Sequence, residues 1–227
     1  MNPSVPLKFG MGASPRRIED GSLIQGRGRY TTDITPAGTL TAYVLRSSAG
    51  HARIKVGDVS AAREAPGVHL VWTAADIGDL APMPCMAKPA AKQPIVEPPY
   101  PVLCGEVVKH VGDAIAFIVA DDLNSAKSAA ELIEVDYDSL PAVTDTAGAL
   151  QPGAPLVWPD RGSNLAFESE IGDHATTEAV FASAARVVEI TVVNNRLVCN
   201  YMEPRAIVAE YDQASGRHTV TIGSQGV

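Results

Sequence analysis

Apolar residues between Gly105 and Val143 fall first into two short runs, then into helical spacing, then into strict alternation. Glu106 to Val111 and Ala114 to Ala120 predict strands separated by Gly112-Asp113, a dipeptide suited to the positive φ of a tight turn. Asp121 and Asp122 can each accept hydrogen bonds from the unpaired first-turn N–H groups of a following helix. Leu123, Ala126, Ala130 and Ile133 recur at helical spacing and leave Lys127 and Glu131 to solvent. From Ile133 the period becomes two: Ile133, Val135 and Tyr137 face one way, and Glu134, Asp136 and Asp138 the other. The stretch predicts strand, turn, strand, helix, strand.

Upstream, Leu40 to Arg46 is apolar on both faces and predicts a buried strand. Asp58 can cap a short helix from Val59 to Glu64, which Pro66-Gly67 ends. Val68 to Thr73 predicts the next strand, with a single turn following to Ile77. Gly78 to Cys104 then carries Pro82, Pro84, Pro89, Pro94, Pro98, Pro99 and Pro101. Proline removes donors and fixes φ, so this stretch predicts an extended wrapping segment without helix or sheet.

Downstream, Thr144 to Asp173 is again broken by proline and glycine and reads as a join, with Trp158 and Phe167 pinning it to a surface. Thr176 or Thr177 can cap a second helix through Ala184 that buries Val180 and Phe181. Arg186 to Asn195 and Arg196 to Tyr201 are β-branched runs that predict strands. Ala206 to Tyr211 and His218 to Gly223 predict a hairpin across Asp212-Gln213-Ala214-Ser215-Gly216, whose last strand has an uncovered edge.

The 227 residues suffice for one domain and part of another. A formal charge of −8 argues against nucleic acid as the main partner, because phosphate binding needs basic surface. No apolar run approaches the roughly 18 to 20 residues that span a bilayer, so no transmembrane segment is expected. Met-Asn-Pro-Ser-Val-Pro-Leu-Lys lacks an apolar signal core, and a cytoplasmic location is the expectation. Cys85, Cys104 and Cys199 are too few and too widely spaced for a zinc or iron–sulfur framework and read as reduced thiols. No metal site is expected within the chain.

Little along the chain announces catalysis. Gly10-Met11-Gly12 begins like a dinucleotide fingerprint, but Pro15 takes the third glycine's place and no apolar strand precedes it. Arg16, Arg17, Arg27 and Arg29 make the amino-terminal part locally basic. His51, His69, His110, His174 and His218 share no metal-like spacing, and Ser47, Ser48 and Ser224 lack a nucleophile-elbow context. Two places remain. Glu203 and Arg205 flank Pro204 in Tyr201-Met202-Glu203-Pro204-Arg205, where an ion pair would fix a strand junction. Gln225, between Gly223-Ser224 and Gly226, can present a neutral donor and acceptor from a flexible backbone.

Four stretches taken in order carry a resemblance. They are Gly26-Arg27-Gly28-Arg29-Tyr30-Thr31-Thr32-Asp33, the segment from His51-Ala52-Arg53-Ile54 through Ala65-Pro66-Gly67-Val68, the unit ending in Glu134-Val135-Asp136-Tyr137, and Asn195 to Arg205. Together they make the chain similar to the amino-terminal portion of the molybdenum-binding large subunit of the xanthine dehydrogenase and aldehyde oxidase family, in particular of the aerobic carbon monoxide dehydrogenase type. The resemblance implies an α+β chain: an arm at 1–19, an α/β-hammerhead domain at 20–145, a linker at 146–175, and the mostly antiparallel beginning of a molybdopterin-binding domain at 176–227.

It also implies a part of an oxidoreductase that uses water-derived oxygen at a molybdenum–pterin centre. The cofactor would be a molybdenum–molybdopterin in its dinucleotide form, held by the complete assembly and not by this chain alone. Electrons would pass to an iron–sulfur subunit and an FAD subunit. Gln225 matches the glutamine that hydrogen-bonds an oxo ligand of the metal in similar proteins, and Gly226 beside it would also be cofactor-binding; Glu203 and Arg205 would be structural or interface residues. The implied partner is the chain or domain carrying the rest of the molybdopterin-binding subunit. The alternative expectation is a non-catalytic hammerhead scaffold or interaction module.

Overall fold

The computed structural model describes residues 17–78, 80–86, 90–195, 197–201 and 203–224. They fall into two compact units, one spanning Leu40–Ile190 and the other combining the described parts of Met1–Thr39 and Thr191–Val227. Along the chain run α1 (Asp20–Leu23), β1 (Thr41–Arg46), β2 (Ala52–Val56), α2 (Ser60–Arg63), β3 (Val68–Thr73) and β4 (Val107–Val108). They are followed by β5 (Ala114–Ala120), α3 (Leu123–Glu131), β6 (Val135–Ser139), α4 (His174–Ser183), β7 (Ile207–Asp212) and β8 (Arg217–Ile222).

The larger unit is built on two antiparallel three-stranded sheets, ordered β1-β5-β3 and β4-β2-β6. The run Ala114–Ala120 is apolar at every position because β5 is the central strand of its sheet and needs apolar contacts on both faces. Ala116, Ile118 and Ala120 enter a core closed by Val59 and Ala62 at α2 and by Ala126, Ala129, Ala130 and Ile133 at α3. Ile115 points the other way, into a second core with Ala52, Ile54, Cys104 and Val108. The alanines on α3 let the helix lie close on its sheet.

Of the two carboxylates before α3, Asp122 is the cap: its Oδ1 accepts from the Asn124 N–H at 2.8 Å and the Ser125 N–H at 2.9 Å. Asp121 instead lies 2.7 Å from His69 Nε2, while its N–H donates to the Gly67 carbonyl at 2.8 Å. Gly67 sits at φ +75, and a Cβ there would lie 3.0 Å from Asp121 Oδ2, so the turn requires glycine.

Other expectations need correction. Leu123 is 44% exposed, because the packing is done one turn later by Ala126, Ala129 and Ala130. The strand expected over Glu106 to Val111 shrinks to Val107–Val108, since Lys109 and His110 spend their N–H groups on Asp113. β6 starts at Val135 rather than at Ile133, which stays in the helix-side core.

The proline-rich segment forms no helix among its described residues, but it is fastened. The Met83 N–H donates to the Tyr100 carbonyl at 2.9 Å, and Lys92 and Val96 donate their N–H groups to the carbonyls of Glu168 and Ala166, each at 2.9 Å. Lys92 also contacts Glu168 and Glu170, which raise the pKa of its ammonium. Asn164 closes the following join by accepting from the Val157 N–H and donating to the Ala149 and Pro155 carbonyls. Trp158 is half-buried with Lys109 Nζ 5.6 Å from its ring centroid, whereas Phe167 remains 42% exposed. Only the first of the two expected aromatic anchors holds.

The carboxy-terminal expectations divide. The hairpin forms as β7 and β8, with Tyr211 opposite His218 and their rings 4.7 Å apart, and Asp212 and Gly216 shape the turn. Helix α4 is capped by Asp173, not by Thr176 or Thr177: the carboxylate accepts from both the N–H and the hydroxyl of Thr176. Val180 and Phe181 are exposed at 63% and 55%. Among the described residues from 186 to 201 there is no strand. Extended backbone becomes a strand only when a neighbour takes its N–H and C=O groups, and no described segment does so here.

Candidate functional site

Glu203 ties together the smaller unit. Its Oε1 accepts from the Thr31 N–H at 3.2 Å and lies 3.4 Å from the Thr31 hydroxyl. Thr31 is 6% exposed, so that N–H would otherwise be buried away from water. It opens the short turn Thr31–Asp33, where Asp33 Oδ2 accepts from the Tyr30 N–H at 2.9 Å. A Cβ at Gly223 would lie 3.1 Å from the same Glu203 oxygen, so the strand end approaches this carboxylate at a distance suited to glycine.

The structure thus joins the Gly26–Asp33 motif, the Glu203 motif and the end of β8 at Gly223 around one carboxylate. It does not form the expected Glu203–Arg205 ion pair: Arg205 is exposed and makes no salt bridge among the described residues. Turned toward Thr31, Glu203 gains two donors of its own. Gln225 and Gly226 lie outside the described residues. The roles of Thr31 and Gly223 escaped the sequence reading, and only their place inside the quoted motifs could have flagged them.

A second polar cluster lies in the larger unit. Asp113, 6% exposed, accepts at Oδ2 from the N–H groups of Lys109 and His110, at 2.6 and 3.3 Å. Its Oδ1 lies 3.0 Å from His110 Nε2 and accepts from the Tyr100 hydroxyl at 3.3 Å. Tyr100 Oη is also 3.0 Å from His110 Nε2. Burial first, then the Asp113 carboxylate, raises the pKa of Tyr100, which keeps the phenol a donor. Burial likewise pushes the Cys104 thiol up, and it donates to the Val107 carbonyl at 2.8 Å. Arg46, Tyr100, Cys104, Lys109 and Asp113 line a cavity of about 210 Å³. With no activated nucleophile, the cluster fastens the proline-rich segment to the turn before β5.

With this geometry in hand, comparison with known proteins gives a consistent result. Residues 25–141 match the family model of the aldehyde oxidase and xanthine dehydrogenase a/b hammerhead domain, and residues 157–227 match that of the molybdopterin cofactor-binding domain. The chain belongs to the aldehyde oxidase and xanthine dehydrogenase family.

It is 36% identical to the carbon monoxide dehydrogenase large chain of Afipia carboxidovorans, covering 93% of this chain and 27% of that one. It is 33% identical to the nicotine 6-hydroxylase large subunit of Paenarthrobacter nicotinovorans, covering 92% and 25%. The crystal structure of quinoline 2-oxidoreductase from Pseudomonas putida 86 superposes with a TM-score of 0.80 at 33% identity, covering 97% of this chain and 28% of that one. The chain therefore spans about a quarter of the length of the relatives it matches. No helix among the described residues is long and apolar enough to cross a membrane.

The described residues hold no side-chain cluster of the kind that ligates a free metal ion. No three His, Cys, Asp or Glu side chains converge among them, and Glu203 is occupied by Thr31.

Proposed function

We propose that this chain supplies the amino-terminal portion of a molybdenum hydroxylase-type oxidoreductase, as part of a longer large subunit or as a separate chain pairing with the remainder. The observation that carries this reading is the ordered pair of matches, hammerhead at 25–141 and molybdopterin-binding domain at 157–227, spanning nearly the full sequence. We assign residues 1–19 to an arm, 20–145 to the hammerhead domain, 146–175 to a linker and 176–227 to the start of the molybdopterin-binding domain.

In the complete assembly the cofactor is a molybdenum–molybdopterin in dinucleotide form, which supplies oxygen transfer from water. An iron–sulfur subunit and an FAD subunit receive the electrons, and the assembly resides in the cytoplasm. The part of this chain is to position. Glu203 holds Thr31 and lies beside Gly223, two residues before Gln225. We assign Gln225 and Gly226 to contact with the cofactor, the glutamine amide donating to it.

Elemental analysis tests this reading. The chain purified alone is expected to lack stoichiometric molybdenum, while its native assembly carries molybdenum, iron and flavin. Stoichiometric metal on the isolated chain would overturn the shared-site reading. A native assembly without molybdenum would leave the hammerhead scaffold in its place. Gln225→Ala in the assembly is expected to lower turnover on the order of 100-fold with molybdenum content retained.

A further inference from the structure

His51, Arg53, Val107 and Lys109 share one face of the sheet β4-β2-β6. Ala52 pairs with Val108 and Arg53 with Val107, so the residues alternating with the buried Ala52, Ile54 and Val108 point away from that core. The segment from Pro155 to Pro159 meets this outward face across a cavity of about 390 Å³, wholly within the larger unit. Leu140, Pro155, Leu156 and Trp158 give the cavity apolar walls. Its polar side chains are those of His51, Arg53 and Lys109, and no carboxylate lines it among the described residues. Apolar walls with a few convergent polar groups, at this volume, are the makings of a small-molecule site.

The three nitrogen-bearing side chains keep hydrogen-bonding capacity. His51 Nδ1 lies 2.7 Å from the Pro141 carbonyl. A carbonyl only accepts, so Nδ1 carries the hydrogen and Nε2 of the neutral ring offers a lone pair, with no partner among the described residues. His51 is 9% exposed, and the cavity is the open space that its ring lines. Lys109 Nζ donates to the Val107 carbonyl at 3.2 Å and stands 5.6 Å from the Trp158 ring centroid, with two N–H donors left over. Arg53 stands opposite Asp138 in the sheet, but it makes no salt bridge among the described residues. Two cations at one apolar cavity, in a chain of formal charge −8, favour an anionic occupant.

We propose that this cavity binds a small aromatic carboxylate. The ring lies against Trp158, the carboxylate accepts from Arg53 and Lys109, and a ring hydroxyl donates to His51 Nε2. The assignment needs neither molybdenum nor the function proposed above.

Titration calorimetry with 6-hydroxy-2-naphthoate, 2-naphthoate and 2-naphthamide, on the purified chain and on its native assembly, tests the assignment. Both acids are expected to fill one saturable site per chain, with the hydroxy acid tighter and the neutral amide at least about tenfold weaker. Arg53→Met and Lys109→Met are each expected to raise Kd about tenfold. His51→Asn keeps a donor for the Pro141 carbonyl and removes the free ring nitrogen. It is expected to erase the preference for the hydroxy acid while Tm stays unchanged.

No binding, an amide as tight as the acids, or Kd values unmoved by both methionine variants would overturn the proposal. Binding to the isolated chain but not to the native assembly would also overturn it, by showing that this face is covered by another part of the assembly. The comparison of acid with amide uses the unaltered chain, so it decides the matter even where a variant fails to fold.

Discussion

Strand β5 and the segment from Val187 to Val198 have similar chemistry and opposite fates. Both carry β-branched apolar residues, Ile115, Ile118 and Val119 in the one and Val187, Val188, Ile190, Val192 and Val193 in the other, and both read as strands from the sequence. In β5 the residues Ile115, Ala116, Ile118 and Ala120 are at 0% exposure, with β1 on one side and β3 on the other. Val188, Ile190, Val192, Val193, Leu197 and Val198 are 75% to 91% exposed and belong to no strand. Intrinsic preference supplies an extended backbone; only a neighbour with matching register turns it into a sheet. The difference lies in the company each segment keeps.

That contrast can be broken at its strong end. Ile118→Ala removes a fully buried side chain between α3 and the sheet. It is expected to cost about 2–5 kcal/mol in chemical denaturation, because the surrounding atoms only partly close the cavity. A cost within a few tenths would mean that β5 is no better packed than the exposed run. Glu203→Ala leaves the buried Thr31 N–H without its acceptor. About 1–3 kcal/mol is expected from that orphaned donor, together with faster hydrogen exchange at Thr31. Unchanged exchange would remove Glu203 from its central place in the smaller unit.

Smaller effects sharpen the comparison. Asp122→Ala is expected to lower Tm modestly and to flatten its dependence on acid. Hydrogen bonds from Ser125 and Asn124 hold the Asp122 carboxyl below the ordinary aspartate value, as local hydrogen bonds also do for Asp58, Asp76, Asp173 and Asp212. A depressed folded-state pKa means that the stabilisation is complete above the unfolded value near 3.8 and fades as pH falls through the folded ones. Thermal melts between pH 6 and pH 2, wild type against variant, read the difference; parallel curves would contradict it. The smallest expected effect is from Val192→Asp. It should change the isolated chain by no more than about 0.5 kcal/mol, since Val192 is 75% exposed. A larger loss would show that the run is covered in solution.

The sequence revealed the larger unit where local chemistry and tertiary packing agree. The unbroken apolar run of β5, the Asp122 cap, the alanine face of α3 and the Gly67 turn are all local signals, and the structure uses each of them. It failed where two acceptors compete: Asp173 precedes Thr176 and takes the cap because a carboxylate accepts more strongly than a hydroxyl. It failed again at Glu203, because a charge two residues away is an obvious partner on paper, while Thr31 lies 172 residues distant in the chain. Residue spacing cannot display such a contact. The Tyr100–His110–Asp113 cluster was hidden for the same reason, as it joins a proline-rich loop to a turn that periodicity treats separately.

The central place of β5 has a consequence for synthesis. Thr41 of β1 pairs with Ala120, which leaves the ribosome roughly 80 residues later and, at about 5–20 residues per second, some 4–16 seconds afterwards. Through that interval β1, and through roughly the later half of it β3, is made but has no strand to lie against, and the proline-rich segment emerges between them and their partner. Formation of this sheet waits for one late strand, the neighbour of both earlier ones. The nascent chain therefore carries apolar strands in the open for seconds, and slowing translation just before Ala114 should lengthen its dependence on chaperones.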